Sequence, residues 1–407
     1  MSEPRRMGIL SALFAKGRKA FSFEYDPGWL TTKGLWPLDP DIQFFSGPQY
    51  PYGKQNFGLF MDSMPDSWGK TLMRRRELQR AKESGERART LYEIDYLLGV
   101  YDQSRMGGLR FKTDPDGPFL DDSSLYPTPP WSSIGGLQEA ADKLEQDERH
   151  KDVDRWLNLL VAPGSSLGGA RPKANIIDKD QNLWIAKFPS KNDTIDIAAW
   201  EYLAYLLAVE AGIRMAPSKI EKIRGEHHTF FTRRFDRSRR ERVHFSSAMT
   251  MTGNTEDSTR DHPASYLEIA EFIQNKGTEI NRNLEQLWRR IVFSIAISNT
   301  DDHLRNHGFI LTSSGWVLSP AYDINPSIED DGLSLNIDMD HNVLDFDLAM
   351  SVGEYFRLDR PKMKTILEQV NASVRQWRNL AGKIGISPRE QELMAGAFRM
   401  DIRGSFD

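Results

Sequence analysis

Asp301 and Asn306 stand five residues apart in the run Ser298-Asn299-Thr300-Asp301-Asp302-His303-Leu304-Arg305-Asn306, and another carboxylate follows in Ala321-Tyr322-Asp323. Phosphoryl transfer asks a protein for an aligned hydroxyl, magnesium on the phosphates and positive charge to hold them. On this reading Asp301 accepts or orients the hydroxyl proton. Asn306 and Asp323 hold Mg2+, a hard cation that prefers oxygen ligands. Asp302 competes for the role of base, because spacing alone is ambiguous by one residue. His303 can orient the loop through hydrogen bonds. Asx residues also cap turns; Asp323, placed beyond an expected hairpin, is what favours a site over a pair of caps.

The positive charge is found in Lys187, mid-strand between Ile185 and Phe188. A lysine in an apolar strand usually snorkels. Here a small-residue loop precedes it and an amphipathic helix follows, which points to phosphate. The loop Ser165-Ser166-Leu167-Gly168-Gly169-Ala170 offers backbone N–H groups to an anion, and Lys173 adds charge beside it. Glu201 is the expected ion-pair partner of Lys187, with Glu210 as the alternative.

These residues need elements to hold them. Ala174 to Asp178 and Leu183 to Phe188 read as a hairpin around Lys179-Asp180-Gln181-Asn182. Asp196 to Ala211 reads as a helix closed by Gly212, and Thr229 to Phe235 as a strand. A glycine loop, a lysine-bearing hairpin, a glutamate-bearing helix and a strand follow one another as in the N-lobe of a protein kinase. Leu284, Leu287, Ile291 and Ile295 mark one face of the helix that delivers the Asp301 loop. Phe309-Ile310-Leu311 and Trp316-Val317-Leu318 form the hairpin between Asp301 and Asp323, and helices over 361–401 close a lower lobe.

Ahead of this lies a different region. Phe21, Phe23 and Tyr25 alternate with polar residues, a strand pattern. Residues 57–111 are mainly helical, with Ser67 capping a helix through Met73 to Arg89 and a strand at Gly107-Gly108-Leu109-Arg110-Phe111. Prolines over 113–135 mark a linker, and 134–160 gives one or two helices. The expected architecture is α+β. A smaller N-terminal α+β domain occupies 1–135 and a two-lobed, protein-kinase-like domain 136–407, its N-lobe near 160–240 and its C-lobe near 241–407. The mixed charges of Arg74 to Arg89 are expected on a solvated face rather than against nucleic acid. Asp338, Asp340, Asp345 and Asp347 are expected in a solvated loop rather than at a second metal, and Arg237, Arg239, Arg240 and Arg242 as exposed loop charge.

Composition sets outer bounds. A chain of 407 residues is too long for one ordinary domain. A net charge of -5 gives no global drive toward nucleic acid. With no cysteine, disulfides, thiolate metal sites and thiol nucleophiles are excluded, which fits a reducing cytosol. No apolar run approaches the roughly 18 residues of a membrane span. Met7 to Phe14 is too short, and Lys16 to Lys19 follow it instead of a cleavage site. A cytoplasmic protein without membrane contact is expected.

Several stretches together resemble the HipA family, serine/threonine-kinase toxins of bacterial toxin–antitoxin pairs. They are Ser166-Leu167-Gly168-Gly169-Ala170-Arg171-Pro172-Lys173, Leu183-Trp184-Ile185-Ala186-Lys187-Phe188, Thr300-Asp301-Asp302-His303-Leu304-Arg305-Asn306, Ala321-Tyr322-Asp323-Ile324 and the hinge-like Arg234-Phe235-Asp236-Arg237. In the N-terminal region, Phe23 to Leu30 and Met106 to Phe111 are similar to the family's smaller domain. The resemblance implies Asp301, not Asp302, as catalytic aspartate, Asn306 and Asp323 as magnesium ligands, and Lys187 as the lysine on the ATP phosphates. It implies Phe235 at the adenine through the hinge backbone. It also implies Ser166, with Ser165 as second candidate, as an inhibitory autophosphorylation site. Ser166 to Ala170, Arg233 and His303 fall at its ATP-binding positions. Arg233 stands where the family often has Glu, which costs nothing if that position acts through its backbone. Phe57 to Asp66 departs from the family's leucine-rich form. A helix-turn-helix, HipB-like antitoxin is the implied partner, with operator DNA reached through that complex. The implied substrate is a protein such as an aminoacyl-tRNA synthetase.

Two other functions compete on the same residues. Asp-x-His-x-x-Asn also resembles the catalytic loop of phosphoinositide kinases, which would make the acceptor a lipid or small molecule. A catalytically silent kinase fold acting as a DNA-associated corepressor would instead use the basic segment 74–89.

Overall fold

A computed structural model describes residues 3–15, 18–120, 128–146, 153–160, 169–238 and 241–400. Four antiparallel strands form the N-lobe sheet, in the spatial order Lys173–Ile177, Leu183–Lys187, Thr229–Arg233, Ser218–Glu221. Lys187 pairs with Lys173 on one side and Phe230 on the other, so it sits in an interior strand. The helix Ile197–Glu210 lies between the second strand and the rest of the sheet in sequence; Asp196 caps it by accepting the Ala199 N–H.

The C-lobe is built on the helix Ile280–Ala296. Leu284, Leu287, Ile291 and Ile295 are all fully buried, as their spacing requires. Tyr266–Lys276 and Arg360–Val374 join it in one hydrophobic core. The strands Gly308–Thr312 and Gly315–Leu318, which follow the Asp301 loop, join Phe245–Ser247 in a three-stranded sheet of order Gly315–Leu318, Gly308–Thr312, Phe245–Ser247. The α+β, two-lobed, kinase-like expectation holds.

The N-terminal region packs on both lobes. Gly8–Ala15 and Arg18–Tyr25 form a hairpin, and Phe23, Tyr25, Phe57 and Phe60 share a core with the Ile280–Ala296 helix. Trp68 and Leu72 belong to a second core, with helices Ile134–Gln146 and Val153–Leu160 and the N-lobe strands.

Several local expectations change. Asp66, not Ser67, caps the helix, which runs Ser67–Ser84 and stops at Gly85, in the left-handed region at φ 67°. Its carboxylate reaches the Gly69 N–H at 2.7 Å, which a serine one position later cannot do. Residues 107–111 form no strand. The Gly107 N–H is taken by the Asp236 carboxylate at 2.8 Å rather than by a neighbouring strand. Arg237 and Arg242 are not exposed loop charge. Arg237 binds the Asp236 carboxylate and the Arg105 carbonyl, and Arg242 lies 3.0 Å from Asp102. Arg239 and Arg240 lie outside the described residues. Asp338 and Asp345 serve turns and a helix cap, and no cluster of three or more His, Cys, Asp or Glu fit for a metal occurs among the described residues. No helix among them is long and apolar enough to cross a membrane.

Candidate functional site

The Ile280–Ala296 helix ends at Ile297, and the chain turns through Ser298 at φ 49°. Left-handed backbone in a residue with a Cβ costs on the order of 1 kcal/mol and persists only where surroundings enforce it. Here the Ser298 carbonyl accepts the Ser327 N–H and its hydroxyl accepts from Arg399 Nε, each at 3.0 Å. Thr300 O accepts both the N–H and the hydroxyl of Ser334. The loop is thus fastened at two points just ahead of Asp301.

Neighbouring aspartates then diverge. Asp302 is buried, and its carboxylate accepts from Tyr266 Oη and, at 3.2 Å, from Ser294 Oγ. Its other oxygen lies 2.9 Å from His307 Nε2. Burial alone would raise its pKa, but these partners outweigh it and hold the carboxyl below the ordinary range. Asp301 is exposed and faces a cleft of about 410 Å³. Its pKa is pushed up, first by desolvation and then by Asp323, Asp302 and Asp330, against the opposing pull of His303. The two aspartates thus differ in direction: the Asp302 carboxylate is held inside the lobe, and Asp301 opens to the cleft.

Asn306 Nδ2 donates to the Asp301 carbonyl at 2.8 Å, which leaves the amide oxygen as the end available to a cation. Tyr322 Oη donates to the Arg305 carbonyl at 2.7 Å and ties the loop to the Asp323 segment. Asp323 has φ 57°, a second strained residue beside the first.

Lys187 Nζ lies 2.6 Å from Glu201 Oε1 and 2.6 Å from Asp323 Oδ1. Desolvation would depress the ammonium's pKa; the charges of Asp323 and Glu201 overcome it and hold it above the ordinary lysine value. Asp323 is correspondingly held below the ordinary range, its burial outweighed chiefly by Lys187. Burial pushes Glu201 up against the pull of Lys187. Glu210 takes no part, being engaged with Gln376 at the far end of the helix.

The same cleft is lined by Gly169, Lys187, Glu201, Arg233, Phe235, His303, Asn306 and Asp323. Phe235 stands 5.6 Å from the Tyr322 ring and 5.8 Å from Phe245, and Ile185, Met215 and Phe230 give the cleft an apolar wall. Arg233 is exposed and its N–H donates to the Pro217 carbonyl. Ala170 is exposed at the end of the small-residue loop and does not line the cleft; Ser165, Ser166, Leu167 and Gly168 lie outside the described residues. Lys173 is buried; its ammonium lies on Asp66 Oδ2 at 2.8 Å and also donates to the Gly169 carbonyl of the small-residue loop at 3.2 Å.

Asn306 and Asp323 both line the cleft, and an amide oxygen and a carboxylate are donors of the kind that suit magnesium, which binds to few protein groups and keeps other oxygen ligands. Sequence reasoning missed the contribution of the N-terminal region to the cleft wall, where Asp62, Asp66, Lys70 and Glu93 are found. The only local signal was a helix start at Asp66-Ser67, which carries no hint of a site.

A family model described as the HipA-like C-terminal domain matches residues 165–377. The structure is similar to HipA of Shewanella oneidensis MR-1, solved in a toxin–antitoxin complex with HipB and its operator DNA. The TM-score is 0.65 at 17% identity, over 96% of this chain and 92% of that one. The Helicobacter pylori proinflammatory kinase CtkA superposes at a TM-score of 0.42 and 14% identity, over 55% of this chain and 88% of its own. A curated Haemophilus influenzae protein, named provisionally as a kinase, is 26% identical over 179 residues. That match spans 39% of this chain and about half of the relative, 52%. Because the family model covers more than half of the sequence, the chain belongs to the HipA-like C-terminal domain family.

Proposed function

We propose that the protein is an ATP- and magnesium-dependent serine/threonine protein kinase of a HipA-type toxin–antitoxin module. The observation that carries this is Lys187, whose ammonium bridges Glu201 and Asp323 in the cleft that Asp301 and Asn306 also face. Phosphoryl transfer is served by positioning and electrostatics, and this arrangement offers both. Lys187 would hold the ATP phosphates, with Glu201 fixing its direction. Asp301, free of the hydrogen bonds that occupy Asp302, would accept the proton of the acceptor hydroxyl. Asn306 and Asp323 would hold Mg2+, which when bound neutralises charge on the phosphates. Phe235 and the apolar wall would take the adenine. Ser166 is the proposed autophosphorylation site, with Ser165 beside it, and its modification would shut the enzyme down. The partner would be a helix-turn-helix antitoxin, with operator DNA contacted through that complex and a bacterial protein, such as an aminoacyl-tRNA synthetase, as substrate; the setting would be the cytoplasm. The likeness to a HipA solved with HipB and operator DNA supports the partner reading.

The test is incubation of the purified chain with γ-labelled ATP and magnesium, followed by mapping of the labelled residue. Label on Ser166 that is absent in Asp301→Asn supports the proposal. Absence of both label and nucleotide binding in wild type would overturn it. Transfer to a lipid or metabolite in preference to protein would replace it.

A further inference from the structure

We infer that Asp66, in the N-terminal region, is a positioning residue for the phosphate-binding loop, acting through Lys173 and Gly169; this rests on the kinase reading above. Asp66 uses both carboxylate oxygens. Oδ1 accepts the Gly69 N–H at 2.7 Å and so caps the Ser67–Ser84 helix. Oδ2 accepts from Lys173 Nζ at 2.8 Å, in a pair whose side chains are only 6% and 3% exposed. The same ammonium donates to the Gly169 carbonyl at 3.2 Å. Trp68 completes the contact: its backbone N–H donates to Gly169 O at 3.3 Å and its indole N–H to Lys173 O at 3.1 Å. One turn of helix therefore grips both ends of the segment Gly169–Lys173.

That segment joins the small-residue loop to the N-lobe sheet. Gly169 has φ 86°, left-handed backbone that glycine adopts readily, and its carbonyl accepts from both Lys173 and Trp68. Lys173 is the register partner of Lys187 across the strand pair. Fixing Lys173 thus fixes two things at once, the root of the loop and the strand that presents the phosphate lysine. Asp66, Ser67 and Gly169 line the cleft together with Lys187, so the grip lies at the site and not behind it. The buried charge pair explains why the N-terminal region is part of the nucleotide seat. With Asp66 neutral, Lys173 loses its charged partner and the loop root loses its fixed donor.

The experiment uses the full chain carrying Asp66→Asn or Trp68→Phe. Asparagine keeps an oxygen to cap the helix, and phenylalanine keeps a buried ring. Affinity for N-methylanthraniloyl-ATP with magnesium, KM for ATP, kcat, and hydrogen exchange over 169–177 are measured. Asp66→Asn is expected to raise Kd and KM about tenfold while kcat at saturating ATP stays within about threefold, and to speed exchange over 169–177. Trp68→Phe is expected to do the same by about threefold. A merely structural role would lower the melting temperature without splitting KM from kcat. Values of Kd and KM within about twofold of wild type in both variants would overturn the inference. If Asp66→Asn does not fold, Trp68→Phe decides. If wild type binds no nucleotide, the kinase reading fails. Exchange over 169–177 then still judges the grip: faster exchange in the variants supports it and unchanged exchange overturns it.

Discussion

Asp236→Asn tests how the stretch after the Thr229–Arg233 strand is held. The Asp236 side chain is fully buried, as is that of its partner Arg234. Arg234 donates Nε to one carboxylate oxygen at 2.8 Å and Nη2 to the other at 2.6 Å. The second oxygen also accepts the Gly107 N–H at 2.8 Å and binds Arg237. Burial opposes the charge, but the two guanidiniums win and hold Asp236 far below the ordinary carboxylate range. Asparagine preserves the shape, removes the charge and points an N–H2 at groups that are already donors. Removing one partner of a buried pair costs about 3–5 kcal/mol. Arg234 keeps bonds to Ser104 O, Asn175 Oδ1 and Arg105 O, so the low end, about 3 kcal/mol, is expected. Native-state hydrogen exchange at Gly107 and over 229–233 reads this as a lower opening free energy. The pH dependence has a definite sign. A carboxyl depressed in the folded state stabilises above its unfolded pKa and loses that contribution as pH falls toward the folded value. The gap between wild type and variant should therefore be full above about pH 5 and narrow below about pH 4. A gap under about 1 kcal/mol, or one that does not change with pH, would refute this account of the Arg234–Asp236 pair.

Two further outcomes are expected. Asp302→Asn should lower kcat by about tenfold to a hundredfold with KM for ATP nearly unchanged, because it loosens the loop that aims Asp301 without touching nucleotide; steady-state kinetics check this, and an equal rise in KM would contradict it. Asp39 is buried and its carboxyl is pushed up from near 3.8 to about 6, chiefly by desolvation. A raised folded pKa means stability that is present at low pH and lost as pH rises through about 6, here about 3 kcal/mol between pH 4 and pH 7. Urea unfolding of wild type against Asp39→Ala across that range should show the slope in wild type and its loss in the variant.

The sequence made some features legible because local periodicity and global packing agree. The four apolar residues at helical spacing from Leu284 to Ile295 could be buried only on one face, and they are. Lys187 and Glu201 were legible because a strand and the following helix, in that order, leave few other ways to neutralise a buried ammonium. Asp301 and Asp302 were not separable by spacing, since adjacent residues in a loop point in directions set by partners far off in the chain. Tyr266 is 36 residues from Asp302, and no pattern in the sequence couples them. The arginines after Phe235 read as surface charge for the same reason. Their partners, Asp102 and the carbonyls of 103–107, lie some 130 residues away.

These long-range partners share one origin. Asp66, Asp102 and the 104–107 backbone all belong to the N-terminal region, and they hold Lys173, Arg242 and the Arg234–Asp236 pair respectively. The same region shares one hydrophobic core with the C-lobe and another with the N-lobe sheet. Rotating the lobes about residues 234–237 would pull Gly107 from Asp236 and shear the contact of Trp68 on Gly169. The cost of opening the cleft thus falls on buried ion pairs and on apolar surface, both of which resist small displacements because neither finds a replacement partner without water. The Lys187–Asp323 contact thus lies between parts of the chain that the N-terminal region packs against on both sides. A chain trimmed to residues 165–377 would keep every residue proposed to act on phosphate and lose the parts that keep those residues in register.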